Sequence, residues 1–196
     1  MRQTNFWPIL GIALSPLLLA VVGLFHPSEL SRANAQGWTT LHLFLMLLFP
    51  MLGVNLWWLV TGIKGVSAWA IRVTGFLFIV YFGGLNVISG IATGLMVQKN
   101  LDPNSPQVEA LTNAGETFNV IGGWAFLLGA LVVLFLYWQL VGRRAFAGGF
   151  LLIISAILML QFPLYHTLGW VTLVVMAVGF GLLQHSKAFF KESHRA

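Results

Sequence analysis

Six stretches of nearly unbroken apolar residues run along this chain, separated by short polar breaks. They cover approximately residues 7–25, 38–61, 73–97, 117–140, 147–162 and 167–183. Each is long enough, or nearly so, to cross a hydrocarbon core as a helix. The pattern predicts an all-α, polytopic integral membrane protein: one six-helix transmembrane domain over residues 1–196. The breaks are short except at 26–37 and 98–116. The second of these contains "KNLDPNSPQ", whose prolines and Asp/Asn turn formers predict an exposed loop before the fourth helix.

The first break, "FHPSELSRANAQGWTTLH", raises an alternative. Arg2, an apolar run and then Ala33-Asn34-Ala35 resemble a secretory signal and its cleavage region. The apolar run is longer than a usual signal core, and the polar gap before the Ala-Asn-Ala is long for a cleavage site. The expectation is a first transmembrane helix with no cleaved signal peptide, followed by a corner that brings His26 and His42 to one rim.

Charge orients the bundle. With the N-terminus inside, Arg2, Lys64, Arg72, Arg143, Arg144, Lys187, Lys191 and Arg195 fall on the inner side, and only Arg32 and Lys99 on the outer. Cytoplasmic loops carry the excess of Lys and Arg, so both termini are expected in the cytoplasm of a bacterial inner (plasma) membrane. Trp7, Trp38, Trp57, Trp58, Trp69 and Trp138 lie near span ends, as interfacial anchors do. Pro8 fits a first helical turn, whereas Pro16 and Pro50 each free a backbone carbonyl that a neighbour must satisfy.

Composition agrees with this reading. The chain is 58% hydrophobic and 8% charged, with mean hydropathy +0.87, too few polar residues to coat a water-soluble globule. The net charge of +5 is spread over loops without a basic, aromatic-interleaved patch, so no nucleic-acid partner is expected. The absence of cysteine excludes disulfides, thiolate metal sites and thiol nucleophiles.

The candidate chemistry lies in the polar residues at membrane depth. His26 follows helix 1, His42 lies one turn into helix 2, and His166 opens helix 6. Glu116 opens helix 4, where a macrodipole would also favour it. All four fall at the outer end. In helix 3, "YFGGLNVISGIATGLM" places Gly83, Asn86, Gly90, Thr93 and Gly94 on one small-and-polar stripe; in helix 4, Glu116, Asn119 and Gly123 share a face. A glycine stripe is more often a packing face than a groove. An isolated imidazole at an interface is often only an amphipathic anchor. His185 and His194 are read as ordinary inner-side residues.

Two functional readings stand at this point, with a third beside them. In the first, an outer-leaflet pocket holds a metal (Zn or Cu) or a haem through His26, His42, His166 and Glu116, with Asn86, Thr93 and Asn119 lining it. In the second, the pocket binds or transports a lipid, quinone or other apolar small molecule without catalysis. The third is a small structural subunit of a membrane complex or a homo-oligomer, in contact with lipids and a membrane-protein partner. No HExxH, GxSxG or phosphate loop points to an enzyme, so whether a reaction occurs stays open. "HP" after helix 1, "WTTLH" opening helix 2 and "NVISGIATG" in helix 3 resemble a group of small, polytopic bacterial membrane proteins. That group more often has Asp at the position of Asn86. The resemblance covers the first half of the chain, implies six helices and supplies no activity.

Overall fold

The computed structural model describes residues 6–162 and 166–193; Arg2, Pro163, His194 and Arg195 lie outside the described residues. In lipid every backbone polar group must be satisfied within the chain, and apolar runs of this length do so as helices. The helices are α1 (Trp7–Leu24), α2 (Ala35–Leu59), α3 (Val66–Leu85), α4 (Thr93–Gln98), α5 (Pro106–Val141), α6 (Arg144–Gln161) and α7 (Thr167–Ser193). A π-helical segment, Asn86–Ala92, joins α3 and α4 into one continuous stretch, Val66–Gln98. Six stretches are long and apolar enough to cross a membrane. They match the six predicted runs, and the fold is that of a small all-α, multi-pass membrane protein.

Helices consecutive in the chain pack side by side, and α1 closes the circle against α7. The order around the ring is α1, α2, the α3–α4 stretch, α5, α6, α7. Close approach depends on missing side chains at the α6–α7 crossing. A Cβ on Gly148 would lie 3.0 Å from the carbonyl oxygen of Gly179, and one on Gly179 equally far from that of Gly148. The interior is aromatic. Phe78 stacks on Phe82 (4.4 Å between ring centres) and meets Phe126 at 5.0 Å, which in turn meets Phe180 edge-on. Leu14, Leu17, Phe44, Leu47, Val80, Leu128, Phe135 and Val178 point outward, apolar and exposed, as a lipid-facing surface requires.

Several polar side chains inside the bundle are spent on backbone repair. Pro16 cannot donate to Ile12, four residues earlier, and Asn55 of α2 supplies the missing donor. Its Nδ2 lies 2.7 Å from the Ile12 oxygen and 3.0 Å from Ser15 Oγ. At the end predicted to be inner, the carbonyls ending α2 receive three donors. Tyr137 donates to Leu59 (2.8 Å), Lys187 Nζ to Trp58 (2.8 Å), and Arg72 to Val60 and Ile63. Cations here complement the negative end of the α2 dipole.

The boundaries differ from the sequence expectation in one consequential place. The fourth span begins at Pro106, not near residue 117. Ser105 adopts the extended conformation of a cap residue and Pro106 fits the first turn. The loop is only 99–105, turned by Asn100 at φ 68° and an Asp102 side chain accepting from the Asn104 amide. Glu109, not Glu116, is the acidic residue of the first turn; Glu116 lies about two turns further in, so helix-end electrostatics does not explain it.

Candidate functional site

The α1–α2 corner is a hydrogen-bonded unit. Asn34 accepts from the Ser31 amide (2.8 Å) and donates to the Glu29 carbonyl (2.8 Å), which is why Ala33-Asn34-Ala35 forms a compact helix entry. This corner sets His26 beside α2. The His26 and His42 rings meet edge-to-face with centres 5.2 Å apart, and Trp38 touches both, at 5.2 Å and 4.7 Å. Nδ1 of His26 faces the Pro27 carbonyl (2.7 Å), and Nδ1 of His42 the Trp38 carbonyl (2.9 Å). A carbonyl can only accept, so both nitrogens carry their proton.

The π segment faces this pair. A π turn misaligns carbonyls that an α-helix would pair, and side chains take them up. Asn86 Nδ2 donates to Phe82 (2.7 Å), Thr93 Oγ1 to Ser89 (2.6 Å) and Gly90 (3.1 Å), and Trp38 Nε1 crosses from α2 to Gly90 (3.1 Å). Gly90 and Gly94 lie flat against α2. A Cβ on Gly90 would fall 2.0 Å from His42 Cδ2, and one on Gly94 2.3 Å from Thr39 Oγ1. A Cβ on Gly83 would meet none of the described residues of other helices within 4 Å. The glycine stripe is therefore a packing seam at its lower two glycines, and its polar members hold the π turn.

Between the pair, the π segment and α5–α7 lies a cavity of about 160 Å³. His26, His42, Asn86, Ser89, Glu116 and Asn119 form its polar lining; Phe49, Phe82, Leu85, Met159 and Leu173 contribute the apolar part. His42 and Asn86 are buried, Asn119 and Ser89 half-buried, and Glu116 exposed. Of the residues singled out from sequence, the structure brings His26, His42, Asn86, Glu116 and Asn119 to this one space. Thr93 is buried behind it, bonded within its own helix. His166 is exposed, stacks on Phe162 at 5.2 Å, and accepts the Leu168 amide on Nδ1 (3.2 Å). It caps α7 and does not line the cavity.

The chain matches no protein-family model, no curated protein and no solved structure.

The resemblance to a bacterial family thus gains no support beyond six helices. Two expectations are overturned by the geometry. Among the described residues, no three of His, Cys, Asp and Glu come close enough to hold a metal ion. The outer-end residues amount to a pair of histidines rather than a histidine cluster, and the metal-binding reading through His26, His42, His166 and Glu116 falls. The reason is local: His166 is committed to helix capping, and being at the same membrane depth does not bring a carboxylate within coordination distance. Zn and Cu are withdrawn as cofactors on this ground. Haem, which was to be held by the same residues, is withdrawn with them.

His26 lies outside the spans, and burial pushes its imidazole below the ordinary 6.5, opposed in part by the Pro27 hydrogen bond. A lowered folded pKa means that the unfolded chain binds the proton more readily below pH 6.5, so this stability contribution is lost as pH falls through and beneath that value. Thermal unfolding in detergent should show a midpoint that drops from pH 7 to pH 5, with a smaller drop in His26→Gln. An equal drop in both proteins would assign the acid sensitivity elsewhere.

Proposed function

We propose that this chain is a membrane-embedded binding protein for a small amphiphilic molecule. The polar end of the ligand would sit against His42, Asn86, Glu116 and Asn119, and its apolar part against Phe49, Phe82 and Leu173. The observation that carries this reading is the joining of polar and apolar linings in one space at the end of an otherwise apolar bundle. A lining that sets polar groups beside apolar ones suits a molecule that carries both kinds of surface. The volume of about 160 Å³ is near that of a cavity that takes benzene (about 150 Å³), so the ligand, or its inserted end, is ring-sized. The π segment supports the assignment, since such segments occur frequently at functional sites. Thr93 belongs to the site as the residue that holds this segment.

The orientation proposed is N-in and C-in at a plasma membrane, with the cavity at the outer leaflet, from the bias of Lys and Arg toward the opposite end. The test is extraction of the detergent-purified protein with organic solvent and mass spectrometry of what is released. Wild type should release one amphiphile near one per chain, and Asn119→Phe, which fills the cavity from its half-buried side, should release far less. Equal recovery from both proteins would place the molecule on the lipid-facing surface and defeat the proposal.

A further inference from the structure

The hydrogen-bonding polarity of the cavity restricts which amphiphile it accepts; this step rests on the binding reading above. His42 Nδ1 is spent as a donor on Trp38, so in its neutral form the ring offers Nε2 as an acceptor. Asn86 spends an amide hydrogen on Phe82. Only its NH₂ can donate to a carbonyl, which fixes the orientation of the amide and leaves Oδ1 as an acceptor. Neither His42 Nε2 nor Asn86 Oδ1 is bonded within the described residues, and neither is among the side-chain atoms sealed inside the protein without a partner. Both residues line the cavity, which makes these two atoms the acceptors they have to offer it. Glu116 adds a carboxylate, and among the described residues no Lys or Arg lines the space. Ser89 and Asn119 can serve in either sense.

We infer that the cavity selects a ligand whose head donates hydrogen bonds and carries positive charge: a ring-sized or short-chain amphiphilic amine, bound as its ammonium. The ammonium has three donors and no acceptor, matching His42 Nε2, Asn86 Oδ1 and the Glu116 carboxylate. A carboxylate or phosphate head would meet acceptors and a like charge. A quinone, which only accepts, would leave both deep acceptors unpaired. Sites built to pair a particular donor discriminate strongly against analogues that lack it.

The test uses benzylamine, benzyl alcohol and benzoate, which share one ring and differ in the head. Each is titrated at pH 7 into the protein in nanodiscs of phosphatidylcholine, with the rise in thermal midpoint as readout. Benzylamine should bind saturably and at least about tenfold more tightly than benzoate, the scale of one charge-assisted hydrogen bond, with benzyl alcohol between. In Glu116→Gln the advantage of the amine over the alcohol should disappear while the alcohol still binds. That variant changes an exposed side chain and leaves the packed interior intact. Benzoate binding as tightly as benzylamine, with both lost in Asn119→Phe, would overturn the amine inference while the cavity stays a binding site. Shifts that never saturate, or that persist in Asn119→Phe, would overturn both.

Discussion

Replacing Gly90 by Ala should cost about 1–3 kcal/mol of stability, the range for forcing extra volume into a packed interior. The new Cβ would sit 2.0 Å from His42 Cδ2, 2.2 Å from Cγ and 2.7 Å from Cβ. These are atoms at the root of the side chain, so no rotation at its far end relieves the clash. The α3–α4 stretch must move off α2, stretching the Trp38 to Gly90 hydrogen bond and opening the cavity. Thermal unfolding of Gly90→Ala in detergent measures the loss. The specific signature is suppression: Gly90→Ala with His42→Ala should recover much of it, because the second change removes the atoms that clash. A double variant as unstable as the sum of the two single ones would show that Gly90 is needed for another reason.

The second large effect concerns a proline far from the cavity. Asn55→Leu should destabilise the protein by about 1–2 kcal/mol, since it leaves the Ile12 carbonyl buried without a donor. The cost should be conditional. In a Pro16→Ala background the amide of residue 16 can return to Ile12, so Asn55→Leu should then cost much less. A double-mutant cycle on thermal or denaturant unfolding gives the coupling directly. Equal costs in both backgrounds would mean that Asn55 acts through Ser15, to which it also donates, or through packing, rather than by replacing the bond lost at Pro16.

These two sites show what one-dimensional information carries. The six spans could be read directly because an apolar run of membrane length is visible residue by residue, and the six helices follow it. Their ends could not, because a helix continues past its apolar stretch wherever the backbone allows. The polar turns "PQVEALTNAG" before Glu116 are helical, although hydropathy alone marks them as loop. His26, His42, Asn86, Glu116 and Asn119 were grouped by depth in the sequence, and these five line one cavity. Depth is a single coordinate, however. It could not tell that His166 turns to cap α7, so the metal reading, which needed three ligands at a point, failed. Asn55 gave no sign of being the partner of Pro16, since that match depends on the rotation of α1 against α2. The π segment is likewise a product of packing: the stripe of Gly83, Asn86, Gly90 and Gly94 reads in the sequence as a close-packing face, but nothing in it says that the helix widens there.

The most direct test of the binding site is native mass spectrometry of the intact protein released gently from detergent after purification. The expected spectrum shows one small-molecule adduct on wild type and almost none on Asn119→Phe, with both proteins folded by circular dichroism. A bare wild-type chain, or the same adduct at the same occupancy on the filled variant, would contradict the assignment of this cavity as the place where the protein holds its ligand.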